Sequence, residues 1–167
     1  RNSIALLLIT AITAIFQLRH INEFPGYTHT WAQNDRLALA NGFVRNDLNF
    51  FKPQNYILNH QFPKNWSDPS YSTITAVEFP VHDYVPAVFM KLFGTNKPWV
   101  FHAYILIYSI IGFFFLYLLA EKITGSKIKS GLVVLFAITS PVYTFYQGGF
   151  LPSIPSIANT FIAFYCY

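Results

Sequence analysis

The sequence predicts an all-α, polytopic helical membrane protein, and three observations support that fold class. Of the 167 residues, 53% are apolar and only 11% are charged, whereas about 25% of residues are charged in ordinary soluble domains. The charges are also unevenly distributed, because residues 2–18, 99–120 and 131–167 contain no Asp, Glu, Lys or Arg. Long uncharged apolar runs of this kind are typical of membrane-spanning helices.

The uncharged runs predict four membrane segments. We assign a first transmembrane helix to 1–18, a second to 99–120, a third to 131–146 and the start of a truncated fourth to 156–167. Pro141 has no amide N–H, so it should kink the third helix near its outer end. The chain begins without Met and ends inside an apolar run. We therefore expect an amino-terminal fragment that is inactive alone.

The distribution of lysines predicts the orientation. Lys122, Lys127 and Lys129 lie in the short connection 121–130, which should therefore face the cytoplasm. The 19–98 loop and the 147–155 turn then lie on the non-cytoplasmic side. We expect an integral protein of the bacterial inner membrane. The net charge of +4 does not indicate nucleic-acid binding, because acidic residues offset the basic residues of the loop.

The 19–98 loop contains two stretches of helical periodicity separated by an irregular region. Between 31 and 46 the apolar positions are Trp31, Leu37, Ala40, Phe43 and Val44. Between 80 and 93 they are Val81, Val85, Val88, Phe89, Leu92 and Phe93. Pro80 suits the first turn of the second helix and Gly94 suits its end. We predict two amphipathic helices parallel to the membrane, joined by a Pro-rich and aromatic loop over 50–75.

Asp35 and Glu78 are the acids with the clearest chemical potential. Asp35 lies in the first loop helix at the predicted membrane boundary, where a carboxylate can act as a general base. Alternatively, it favours the helix start electrostatically or pairs with Arg36 or His29. Glu78 precedes the second loop helix, where it can cap free N–H groups. It can also join His82 and His29 in a divalent-metal or phosphate site, although the spacing does not require a metal.

Four spaced motifs carry a family resemblance. They are His29-x-Trp31-x-Gln33-x-Asp35, Asn49-Phe50-Phe51-x-Pro53, Glu78-x-Pro80-x-x-x-Tyr84 and Lys91-Leu92-Phe93-Gly94. With the predicted topology, they resemble the amino-terminal third of membrane glycosyltransferases of the GT-C fold. The nearest branch in this resemblance is protein-mannosyltransferase-like and aminoarabinose-transferase-like.

The resemblance implies transfer of a sugar from a polyprenyl-phosphate-linked donor to a lipid, glycan or protein acceptor. It places the general base at Asp35 and a second active-site acid at Glu78. The residues that we expect to bind substrate are His29, Trp31, Gln33, Arg36, His82 and Tyr84. Among them, Arg36, His29 and His82 can stabilise the charge on a departing phosphate. Direct displacement would invert the sugar.

Two other functions remain as alternatives. One is a lipid-linked oligosaccharide ligase or polymerase, which keeps the enzyme class and changes the reaction. The other is a non-catalytic transporter component. Transporters usually carry ionisable groups inside their spans, but the predicted spans contain no Asp, Glu, Lys or Arg, and His102 is their one group that titrates near neutrality.

Overall fold

The computed structural model describes residues 2–26, 28–55, 74–75 and 77–167. Within these ranges the regular elements are all helical, which confirms the all-α class. They are α1 (Asn2–Gln17), followed by a 3₁₀ turn (Leu18–His20), α2 (Thr30–Arg45), α3 (Val81–Phe93), α4 (Pro98–Thr124), α5 (Lys127–Ile138), α6 (Pro141–Gln147) and α7 (Ser153–Cys166). Most of the predicted irregular loop, residues 56–73, lies outside the described residues.

The chain divides into two compact units. The first unit consists of Arg1–Phe24 and His102–Tyr167, and the second consists of Pro25–Phe101. The predicted loop 19–98 therefore corresponds closely to the second unit. The predicted transmembrane segments fall mainly in the first.

Two helices are long and apolar enough to cross a membrane. They are α1 with its 3₁₀ turn, over Ser3–His20, and α4, over Pro98–Thr124. At 1.5 Å per residue, the 27 residues of α4 extend about 40 Å. These lengths and compositions are consistent with a membrane protein.

The predicted third transmembrane helix, 131–146, is two helices. It begins earlier than expected, at Lys127, and α5 and α6 meet at an angle of 67°. Ser140 is extended, with φ −61° and ψ 121°, as the residue before a proline prefers. Pro141 thus ends one helix and starts another instead of kinking a continuous one. Together the bent pair would make a third span.

A line of buried polar side chains joins α1, α4 and α6 within the first unit. Gln147 donates its amide N–H to Ser109 Oγ (2.6 Å), and Gln17 donates to Gln147 Oε1 (3.2 Å). Ser109 is also 3.2 Å from the hydroxyl of Tyr143. These groups satisfy one another in an apolar interior, where an unpaired polar group is costly.

The second unit is built on the packing of α2 against α3. Phe43 of α2 and Phe50 both make edge-to-face contacts with the ring of Tyr84, at centroid distances of 5.3 and 5.1 Å. A Cβ on Gly42 would lie 1.8 Å from the carbonyl oxygen of Gln54. The absence of a side chain at this position therefore lets the chain after α2 pass close to the helix.

Three of the five predicted apolar positions of α2 are buried, whereas the buried face of α3 differs from its predicted apolar face. In α3 the buried residues are Asp83, Pro86, Ala87 and Met90, whereas Phe89, Leu92 and Phe93 are exposed. Trp31 of α2 is also 73% exposed. It lies six residues before the buried Leu37, and six residues turn a helix by about 600°, so the two side chains lie on different faces. The exposed apolar face of α3 remains available to a membrane surface.

Candidate functional site

Arg36 of α2 connects two of the sequence motifs. Its Nη1 donates to Oδ2 of Asp83 at 3.1 Å, and its Nη2 donates to Oε2 of Glu78 at 3.4 Å. The motif that begins at His29 ends next to Arg36, and the motif that runs from Glu78 to Tyr84 spans both acids. Packing of α2 on α3 thus brings together groups that are more than forty positions apart in the sequence.

Asp83 is the deeply buried acid of this cluster, with a side chain only 3% exposed. Burial raises its pKa from 3.8 to about 6. The charge and hydrogen bond of Arg36 act in the opposite direction, while the nearby Glu78 carboxylate adds to the rise. Asp83 therefore titrates close to neutrality, at a position where its charge decides how Arg36 is paired.

His82 lies beside the same cluster and is half-buried. Burial lowers the pKa of its imidazole, and the positive charge of Arg36 lowers it further. At neutral pH the ring is therefore uncharged. A neutral imidazole offers one N–H donor and one acceptor nitrogen, so His82 can bind a polar group without adding positive charge.

Glu78 does not cap α3, which was the alternative explanation for this acid. The helix begins at Val81 with Pro80 as its N-cap residue and has no side-chain cap. The carboxylate of Glu78 instead contacts Arg36, and its side chain is 83% exposed. It is thus held at one side by a cation and open to a ligand at the other.

Asp35 is adjacent to Arg36 in α2 but takes no part in this ion-pair cluster. It is partly exposed, and its carboxylate makes no hydrogen bond or ion pair with the residues that the structure describes. The suggested pairing with Arg36 or His29 is therefore not present. A carboxylate with open lone pairs can accept a proton from an incoming hydroxyl group.

Two predicted substrate-binding residues support the start of α2. His29 is the N-cap residue in the left-handed region, with φ 57°, and its carbonyl accepts from the N–H of Gln33. The buried Gln33 side chain donates to the carbonyl of Thr28 at 3.0 Å. Trp31 projects outward on the first turn. Gln33 therefore shapes the segment before Asp35, while Trp31 is available to a ligand.

Tyr84 has a positioning role in the structure. Its hydroxyl donates to the carbonyl of Leu48 at 3.1 Å. Leu48 has φ 62°, a conformation that non-glycine residues adopt at a steric cost. Tyr84 thus holds the turn that leads from α2 into the Asn49-Phe50-Phe51 motif. Its predicted contact with substrate stays a prediction.

Asp83 is not among the site residues that the sequence predicts. The sequence nevertheless contains a pattern that indicates burial of Asp83. The i, i+3, i+4, i+7 spacing of one helix face is followed by Asp83, Pro86, Ala87 and Met90. An acid on a face of small and apolar residues indicates burial. The larger apolar residues of α3 predict burial of the opposite face instead.

The predicted divalent-metal site has no complete ligand set among the described residues. No group of three or more His, Cys, Asp or Glu side chains in that part of the chain is arranged to hold a metal. A contribution of Glu78, His82 and His29 to a metal or phosphate site stays a prediction.

Comparisons of the chain with protein-family models, with curated proteins and with solved structures find no match.

Proposed function

We propose that the protein transfers a sugar from a polyprenyl-phosphate-linked donor to a lipid, glycan or protein acceptor at the non-cytoplasmic face of a membrane, as GT-C glycosyltransferases do. One observation carries the proposal. Arg36 ties Glu78 and Asp83 to α2, so the two motifs of the resemblance meet at one place while the neighbouring Asp35 stays unpaired. In such a site Arg36 would fix the two acids, and the carboxylate of Asp35 beside them would be available as a general base.

The apolar surface of the second unit supports a site at headgroup level. Phe89 stacks on Phe93 at a centroid distance of 6.2 Å, and Phe93 stacks on Trp99 at 5.7 Å. This aromatic row follows the exposed side of α3 and ends in the first turn of the apolar helix α4. Aromatic residues are enriched where a helix enters a membrane. A site on α2 and α3 would then meet a lipid-linked sugar whose tail stays in hydrocarbon.

The proposed reaction is a direct displacement at the anomeric carbon. Asp35 removes the proton of the acceptor hydroxyl as its oxygen bonds to that carbon, and the bond to the phosphate oxygen breaks. Polyprenyl phosphate leaves with the electron pair, and the sugar is inverted. His82 can donate an N–H to the departing phosphate. Arg36 is already neutralised by two carboxylates, so its contribution is to position Glu78 and Asp83.

The test is an assay of Asp35→Asn in membranes from cells that express the protein. With a radiolabelled polyprenyl-phosphate-linked sugar as donor, we expect transfer to fall roughly 10²-fold or more, because the variant cannot accept the proton. Asp47→Asn is the matched control, since Asp47 is an exposed acid of the same unit that pairs with Lys91 at 3.0 Å. It should retain nearly full transfer.

Three outcomes would contradict the proposal. Full activity of Asp35→Asn would remove that residue from the mechanism, and a trapped covalent sugar–protein adduct would exclude direct displacement. Transfer only from a diphosphate-linked oligosaccharide would instead favour the ligase or polymerase alternative. Equal expression and equal thermal stability of the two variants are required for the comparison.

A further inference from the structure

A groove of about 460 Å³ runs along α1, α4 and α5 within the first unit. Its walls are apolar along most of their length, and one cation, Lys127, lines it at the beginning of α5. We call it the α1–α5 groove, and its principal lining residues are Ile4, Leu8, Ile12, Tyr117, Gly131 and Leu135.

The dimensions of the α1–α5 groove match one leaflet of a bilayer. Along α5 the lining extends from Lys127 to Ile138, and eleven steps of 1.5 Å amount to about 16 Å. The hydrocarbon core of a bilayer is about 30 Å thick, so each leaflet contributes about half of that. A single hydrocarbon chain that begins beside Lys127 would therefore end near Ile138.

The rim of the α1–α5 groove is open to the surroundings. Ile4 and Leu8 on α1 and Leu135 on α5 are all exposed. Helix α1 is one of the two helices that are long and apolar enough to cross a membrane. In a membrane, these rim residues face hydrocarbon, and the groove is accessible to a lipid from the side.

The charge at the Lys127 end favours an anion. The side chain of Lys127 is 41% exposed, and its Nζ lies 3.6 Å from Oε1 of Glu121, which is longer than a hydrogen bond. Its N–H donors therefore remain available to a phosphate. Lys127 is also the first residue of α5, and the amino-terminal end of a helix carries partial positive charge. Glu121, the one acid of the 121–130 connection, offsets the charge of Lys127 only in part at this distance.

We infer that the α1–α5 groove binds one anionic glycerophospholipid, with an acyl chain along α5 and the phosphate at Lys127. The lysine-rich connection is predicted to face the cytoplasm, so this lipid belongs to the cytoplasmic leaflet. The polyprenyl-phosphate donor would bind at the opposite face. The inference therefore goes beyond glycosyl transfer and stands or falls independently of it.

The structure supplies two variants that should empty the groove without disturbing the fold. A Cβ on Gly131 would meet no atom within 4 Å, so Gly131→Leu places a side chain in the space that the lipid would occupy. Lys127→Gln removes the cation from an exposed position. Lys129→Gln is the matched control, because Lys129 is exposed in the same turn but does not line the groove.

The experiment is native mass spectrometry of the purified full chain in detergent, with phosphatidylglycerol and phosphatidylcholine added at equal concentrations. We expect the unmodified protein to retain one phosphatidylglycerol in preference to phosphatidylcholine. Retention should fall at least about fivefold in Gly131→Leu and in Lys127→Gln, and it should be unchanged in Lys129→Gln. Circular dichroism checks that each variant keeps its helix content.

Several results would overturn the inference. These are equal retention of both lipids, equal retention in all four proteins, and an equal loss in the two lysine variants, which would indicate general attraction to acidic lipid. A dimer that disappears in Gly131→Leu while lipid retention is unaffected would show that a second copy of the chain fills the groove. Sugar transfer is not a readout here, so this result and that of Asp35→Asn are distinguishable.

Discussion

Arg36 and Asp83 form an ion pair at 3.1 Å between α2 and α3, and the carboxylate side chain is only 3% exposed. Burial of a charge is unfavourable unless a partner compensates for it. Here the compensation is incomplete, because the pKa of Asp83 remains raised at about 6 despite the guanidinium group. The pair is therefore sensitive to proton concentration in a range that experiments can reach.

The first prediction concerns the pH dependence of stability. The pKa of Asp83 is raised by folding, so the folded state holds its proton more tightly than the unfolded state. The resulting stabilisation is complete well below pH 3.8 and is lost as the pH rises through about 6. The loss should amount to about 3 kcal/mol, at 1.36 kcal/mol for each pKa unit. Unfolding experiments in detergent between pH 4 and pH 7 would measure most of this loss.

Asp83→Asn is the control for that measurement, because its side chain has nearly the same shape and does not titrate. The stability of the variant relative to the unmodified protein should improve by about 2 kcal/mol from pH 4 to pH 6. His82 is present in both proteins, so the effect of its lowered pKa largely cancels in this difference. A difference that does not change with pH would contradict the assignment to Asp83.

The second prediction concerns the removal of the cation. Arg36→Met takes away the charge that lowers the pKa of Asp83, so this pKa should rise above 6. Breaking a buried pair leaves an uncompensated carboxylate, and we expect a loss of roughly 3 kcal/mol at pH 7. At pH 5 most of the Asp83 carboxyl is already neutral, so the loss should be smaller. Thermal unfolding at both pH values provides the measurement.

Arg45→Met is the comparison for Arg36→Met, since Arg45 lies in the last turn of the same helix and is exposed. Its replacement should cost about 1 kcal/mol or less at both pH values. If Arg36→Met were as mild as this control, the ion pair with Asp83 would contribute little to the packing of α2 on α3.

The sequence predicted the positions of the helices better than the faces that they bury. Helices α2 and α3 cover Thr30–Arg45 and Val81–Phe93, close to the predicted 31–46 and 80–93. The larger apolar side chains of α3 are exposed, however, and the smaller ones are packed. Periodicity shows that a helix has an apolar side, but it does not show whether lipid or another helix covers that side.

The candidate site could be predicted only in part for a related reason. The sequence identifies Asp35 and Glu78 as scarce acids within motifs, and Arg36 as the cation next to the first motif. Their pairing depends on how α2 packs against α3, which is a contact between distant segments. Asp83 was missed because its burial depends on that contact. Similarly, Pro141 predicts a bend at this position. The size of the bend, 67° between α5 and α6, depends on tertiary packing and cannot be predicted from the local sequence.

The third prediction concerns the buried polar line of the first unit. Gln147→Leu removes the amide that donates to Ser109 and accepts from Gln17. Two buried groups lose a partner, and we expect the free energy of unfolding to fall by roughly 1–3 kcal/mol. Gln17 retains its hydrogen bond to the carbonyl of Thr144 at 2.8 Å, which limits the loss. Unfolding in mixed detergent micelles would measure the change.

A double-mutant cycle separates hydrogen bonding from packing at this site. Gln17→Leu combined with Gln147→Leu removes both members of one pair, so the double variant should lose less than the sum of the single variants. Strict additivity would indicate that the 3.2 Å contact between the two amides contributes nothing to stability.

The fourth prediction compares two helical glycines with opposite surroundings. Alanine is favoured over glycine inside a helix by about 1 kcal/mol, so Gly131→Ala should stabilise the protein by up to that amount, because its Cβ would meet no neighbour within 4 Å. In Gly42→Ala the Cβ would lie 1.8 Å from the carbonyl oxygen of Gln54, a backbone atom that cannot rotate away. The chain after α2 must move, and we expect a net loss of about 1–3 kcal/mol. Unfolding of both variants under identical conditions measures the contrast, and a stabilising Gly42→Ala would show that Gln54 does not lie against α2.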